Sequence, residues 1–172
     1  MISFENDYST GAHPRILEAL AATNFEPASG YGTDRFCASA AERIRAACDD
    51  PAADVFFLVG GTQTNAVVIS SLLAGYEGVI AADTGHIAVH EAGAIEATGH
   101  KVIALPECDG KLRAADVAAY LDTFYGDASH DHMVFPGMVF IAHPSELGSL
   151  YSLTELEEFS ALCHRYEIPL YL

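Results

Sequence analysis

Three short stretches hold the residues able to do chemistry. In "VFFLVGGTQTN", residues 55–65, an apolar run ends in Gly60-Gly61-Thr62, with Thr64 and Asn65 behind it. Glycines between a strand and a helix let the backbone approach an anion closely, and the first N–H groups of the helix are unpaired and can receive it. Thr62 and Thr64 add hydroxyl donors. Neither G-x-x-x-x-G-K-[ST] nor G-x-G-x-x-G is present, so the turn is not a nucleotide loop or a dinucleotide fingerprint. Taken alone it reads equally well as an ordinary strand-to-helix connection. In the second stretch, "DTGHIAVHEAG", His86 follows an apolar run, and His90 comes four residues later, on the same face if the segment is helical. Glu91 is not spaced as in H-E-x-x-H, so no metal is expected. In the third, "AHPSELG", His143, Ser145 and Glu146 follow another apolar run, and they either face a ligand or set a turn. His130, Asp131 and His132 sit in a loop and read as solvated.

The elements that would position these residues alternate. Residues 54–59, 78–82, 101–105, 138–142 and 168–172 are short apolar runs without alternation, the pattern of strands buried on both faces of a parallel sheet. Helical patterns run near 63–75, 86–98, 113–124 and 153–166, the last with Ser152 or Thr154 as its cap. Upstream, Pro14 opens one helix, and "CASAAERIRAACDD" forms another that stops before Pro51. The expected class is α/β, a mainly parallel sheet with helices on both faces. Ligands of such sheets bind at the carboxyl ends of the strands, where all three stretches lie.

Composition narrows the partners. Asp and Glu number 24 against 8 Lys and Arg, which argues against nucleic acid, since phosphate neutralisation needs basic side chains. No apolar run reaches the length of a membrane helix, and the acidic, polar N-terminus does not read as a signal or transit peptide, so a cytoplasmic protein is expected. Cys37, Cys48, Cys108 and Cys163 form no C-x-x-C and read as buried thiols.

The ordered set "GGTQTN", "DTGHIAVHEAGAIEATGHKV", "HPSELGSLYSL" and "IPLYL" resembles the low-specificity L-threonine aldolases, which belong with the β-eliminating lyases. The resemblance runs over essentially the whole chain. It implies an aminotransferase-like (fold type I) enzyme that uses pyridoxal 5'-phosphate, and within it an incomplete large domain. Residues 1–12 would be an N-terminal arm, and 13–172 a partial large cofactor-binding domain truncated before the Schiff-base lysine. Gly61 and Thr62, with Asn65 nearby, would bind the cofactor phosphate, and His86 would stack on its ring. Asn6 and Tyr31 would touch the substrate. His143 or Glu146 would occupy the catalytic position on the loop after the fourth run. The implied reaction is aldol cleavage of L-threonine or L-allo-threonine to glycine and acetaldehyde, in a homodimer or homotetramer. Lys101 and Lys111, the only lysines, match no anchor position and read as surface residues, so the 172-residue chain alone is expected to be inactive. The alternatives are a β-eliminating lyase acting on another amino acid and a non-catalytic phosphate-ligand-binding module.

Overall fold

The structure is a computed structural model that describes Asn6 and residues 8–172, so part of the expected arm over 1–12 lies outside the described residues. The chain forms two compact units, Met1–Phe57 and Leu58–Leu172.

The first unit holds α1 (Pro14–Thr23) and α2 (Arg35–Ala47). Pro14 starts α1 because its fixed φ suits the first turn and its missing N–H would have no partner there. Asp34 caps α2 by accepting from the N–H groups of Phe36 and Cys37 at 2.8 and 2.9 Å. No described residue of this unit is buried.

The second unit follows a strand–helix alternation. Its elements are α3 (Gly61–Leu72), β1 (Glu77–Ala82), α4 (His86–Val89), β2 (Val102–Leu105), α5 (Ala114–Gly126), β3 (Phe135–Phe140), α6 (Leu153–Tyr166) and β4 (Leu170–Tyr171). The four strands are all parallel, in the order β2-β1-β3-β4. Successive side chains of β1 point to opposite faces. Ile80 and Ala82 pack with Val117 and Leu121 of α5 and Phe159 and Leu162 of α6, whereas Val79 and Ala81 pack with Ile69 of α3 and Ile87 of α4. Helices therefore cover both faces, as the unalternating apolar runs require. Burying a side chain such as Phe159 or Leu121 contributes about 1.5–3 kcal/mol each. No helix among the described residues is long and apolar enough to cross a membrane.

Several expectations are corrected. Residues 54–59 form no strand. A strand needs a neighbour for its N–H and C=O groups, and the described sheet offers this run none. Phe56 and Val59 are exposed, and the Val59 N–H bonds to the Gln63 side chain at 2.8 Å instead. The helix expected over 86–98 ends at Val89, because Ala92 and Gly93 both take positive φ and break it; a short 3-10 turn follows at Glu96–Thr98. Only Cys163 of the four cysteines is buried. Cys48 lies in the unit that buries nothing, and Cys108 sits on an exposed turn. His130 is not a solvated loop residue, since its ring packs edge-on against Phe124 and Phe135. Lys111 is not a free surface residue, since its ammonium donates to Glu155 at 2.5 Å.

Candidate active site

The carboxyl ends of β1, β3 and β4, neighbours in the sheet, bring together two loops and the Tyr171 side chain. After β1 the chain turns at Gly85, whose N–H donates to the Ala82 carbonyl at 2.8 Å. A Cβ at Gly85 would come within 2.9 Å of that oxygen, so the turn demands glycine. The turn delivers His86 as the first residue of α4. After β3, the loop 141–149 carries Glu146 back toward α4. Its carboxylate accepts from His86 Nδ1 at 3.1 Å and lies 3.5 Å from His90 Nε2. A carboxylate only accepts, so Nδ1 of His86 carries a proton. The His86 and His90 rings lie 5.6 Å apart.

Beneath His86 lies a buried polar network. Glu91, whose side chain is fully buried, has Oε1 3.6 Å from His86 Nε2. The same oxygen accepts from Asn65 Nδ2 at 2.5 Å, and Asn65 Oδ1 accepts from the Tyr171 hydroxyl at 2.5 Å. Burial, with the Glu91 charge adding to it, pushes the Tyr171 phenol up, so it remains a donor. Asn65 belongs to α3, Glu91 follows α4 and Tyr171 ends β4, so three elements meet in one chain of hydrogen bonds.

The structure thus brings together His86, Glu146 and Asn65. His143 goes elsewhere, with its Nδ1 accepting from the Tyr151 N–H at 3.3 Å. Asn6 and Tyr31 belong to the first unit; Asn6 accepts from the Ser9 hydroxyl at 2.5 Å, and Tyr31 is fully exposed with φ 63°. Sequence reasoning missed Glu91 and Tyr171 and left His90 unassigned. Glu91 carries a local signal, an acid five residues after His86 on a short helix. Tyr171 carries none, since its partner is 106 residues away.

A phosphorylated cofactor fits three observations. No side chain caps α3, which leaves its N-terminal backbone available to an anion, and the helix dipole adds attraction there. A Cβ at Gly60 or Gly61 would meet no atom of the described residues within 4 Å, so packing among them does not require these glycines, whereas close approach by a ligand would. Glu91 Oε2 and Thr84 Oγ1 are buried without a hydrogen-bond partner among the described residues.

Residues 4–172 match the family described as Beta-eliminating lyase. The chain belongs to that family. A Leishmania major threonine aldolase of known structure is 47% identical with a TM-score of 0.90, over 96% of this chain and 47% of that one. The low specificity L-threonine aldolase of Pseudomonas sp. (strain NCIMB 10558) is 30% identical over 98% of this chain and 48% of its own length. A PLP-bound C-S lyase from Staphylococcus hominis shares the fold, with a TM-score of 0.58 at 12% identity over 90% of this chain and 37% of that one. This lyase-family chain spans about half the length of the curated relatives it matches. The likeness bears out the fold type I architecture expected for an incomplete large domain.

Proposed function

We propose that this chain carries the phosphate- and ring-binding part of a pyridoxal 5'-phosphate-dependent aldehyde-lyase that cleaves L-threonine or L-allo-threonine to glycine and acetaldehyde. The observation that carries the reading is the His86–Glu146 pair at the carboxyl ends of β1 and β3, joined through Glu91 to Asn65 of α3, a helix whose N-terminus has no side-chain cap, in a chain so similar to threonine aldolases. When bound, the cofactor supplies an electron sink for bond cleavage at the substrate α-carbon.

The residues divide the remaining work. Gly61 and Thr62 hold the phosphate through backbone N–H groups and the threonine hydroxyl, with Asn65 behind them. His86 lies against the ring, its edge fixed by Glu146. Glu146 takes the proton of the substrate β-hydroxyl, and the half-exposed His86–Glu146 pair supports that assignment. His143 is the weaker choice, because its Nδ1 already accepts from the backbone. Asn6 and Tyr31 contact substrate. Lys111 is committed to Glu155, which argues against it as the covalent anchor. A cytoplasmic homodimer or homotetramer completes the proposal, supported by the unburied apolar side chains of the first unit.

The test is product analysis of the whole protein with the cofactor. Glycine and acetaldehyde from L-threonine are expected, and Glu146→Gln should lower kcat about 100-fold or more, the usual worth of a general base. A 2-oxo acid and ammonia as products would instead favour β-elimination, which the family description allows. No reaction with any amino acid, while phosphate ligands still bind, would leave the non-catalytic module.

A further inference from the structure

Tyr171, at the end of β4, has a hydroxyl with one partner among the described residues, and that partner is the buried carboxamide of Asn65. The carboxamide has two ends of similar shape and opposite polarity. Glu91 is an acceptor only, so Nδ2 must face it; turned around, Oδ1 would oppose a carboxylate in a dry site. The Tyr171 O–H donates to Oδ1 and so selects the orientation that satisfies Glu91. Glu91 in turn lies 3.6 Å from Nε2 of His86, while Glu146 takes Nδ1 on the opposite edge of the ring. A buried carboxylate stays in place only if it is hydrogen-bonded, and Asn65 provides that bond.

We propose that Tyr171 is a positioning residue: through Asn65 and Glu91 it fixes the plane of the His86 ring and thereby the affinity of the site for the cofactor ring, but not for its phosphate. The inference rests on the reading above that His86 lies against that ring. It deepens that reading by making the end of β4 a determinant of ring binding.

The conservative variant is Tyr171→Phe. Its ring keeps the edge-on packing against Phe140, centroids 5.3 Å apart, so the fold is retained and only the donor is lost. Glu91→Gln, which keeps the shape of the side chain but removes the charge beside His86, is the second variant. The probes are 4'-deoxypyridoxine 5'-phosphate, which lacks the aldehyde and reports non-covalent contacts alone, and inorganic phosphate. Both are titrated into the whole protein by equilibrium dialysis, in a double-mutant cycle with His86→Ala. The expected result is about three- to ten-fold weaker binding of the cofactor analogue to Tyr171→Phe, the worth of one hydrogen bond, with phosphate affinity unchanged. On the His86→Ala background the tyrosine substitution should add nothing, and Glu91→Gln should behave in the same way. The 15N signals of the His86 ring should move in Tyr171→Phe without any ligand.

Unchanged analogue affinity in Tyr171→Phe, with His86→Ala weakened, would overturn the inference alone. So would an equal loss on the His86→Ala background, which would make Tyr171 independent of the ring. If His86→Ala had no effect, the ring assignment itself would fail and the inference with it.

Discussion

Leu121 of α5 and Leu20 of α1 are both leucines on amphipathic helices, yet Leu121 is fully buried and Leu20 is 61% exposed. The difference lies in what each unit offers. Residues 58–172 supply a sheet whose two faces take up α5 and α6 on one side and α3 and α4 on the other. The described residues of the first unit supply two capped helices and no sheet, and Ile16, Leu17 and Phe36 stay exposed there. Apolar periodicity states that a helix has a face to bury but is silent on what covers it. Capping, by contrast, is a local matter, and both units do it well: Asp34 caps α2, and Ser152 caps α6 with a complete capping box.

This contrast breaks first on paired truncations. Leu121→Ala should lower unfolding stability by about 2–5 kcal/mol, and Leu20→Ala by no more than about 0.5 kcal/mol, both measured by denaturant unfolding of the dissociated chain. In the proposed oligomer, which would cover the α1 face, the Leu20→Ala loss should approach that of Leu121→Ala, and a loss that large in the dissociated chain would contradict the contrast. A smaller effect sharpens the point about caps. Ser152→Ala should cost about 1 kcal/mol, read in the same way, because it leaves N–H groups of the first turn of α6 without their acceptor. The smallest effect belongs to Glu155. The Lys111 ammonium, and after it the Ser152 backbone and hydroxyl, hold its carboxyl down at about 2, below the ordinary 4.5. A lowered carboxylate stabilises the fold above its unfolded pKa and loses that contribution as pH falls through its folded one. The stability gap between the protein and Glu155→Gln should therefore be full near neutral pH and close between pH 4.5 and about 2. A gap that stays constant over that range would contradict the assignment.

Most of the second unit was legible in its sequence, because its signals are local. The helix expected over 153–166 is found at Leu153–Tyr166, since Ser152 and Glu155 mark its start and Glu167, with positive φ, its end. Three of the apolar runs lie on β1, β2 and β3 to within a few residues, and the last shortens to Leu170–Tyr171. The run at 54–59 has the same composition and forms no strand, because pairing is a property of neighbours and not of the run itself. The site divides in the same way. His86 and Glu146 could be picked out because each follows a strand. Whether His143 or Glu146 meets His86 depends on how the loop 141–149 folds back, with Ser145 and Ser149 sharing a hydrogen bond at 2.6 Å, and the residue types alone do not fix that. The Tyr171–Asn65–Glu91 connection was illegible because its members come from elements far apart in sequence, and because buried polar partners are chosen by geometry.

The central claim is that α3's N-terminus and His86 form one site for a phosphorylated pyridine ring. The most direct measurement is an amide and imidazole 15N NMR titration of the protein with 4'-deoxypyridoxine 5'-phosphate. The account predicts saturable shifts of the Gly61 and Thr62 amides and of the His86 ring with one shared dissociation constant. Shifts confined to other parts of the chain, or a shift of the amides without the ring, would contradict it.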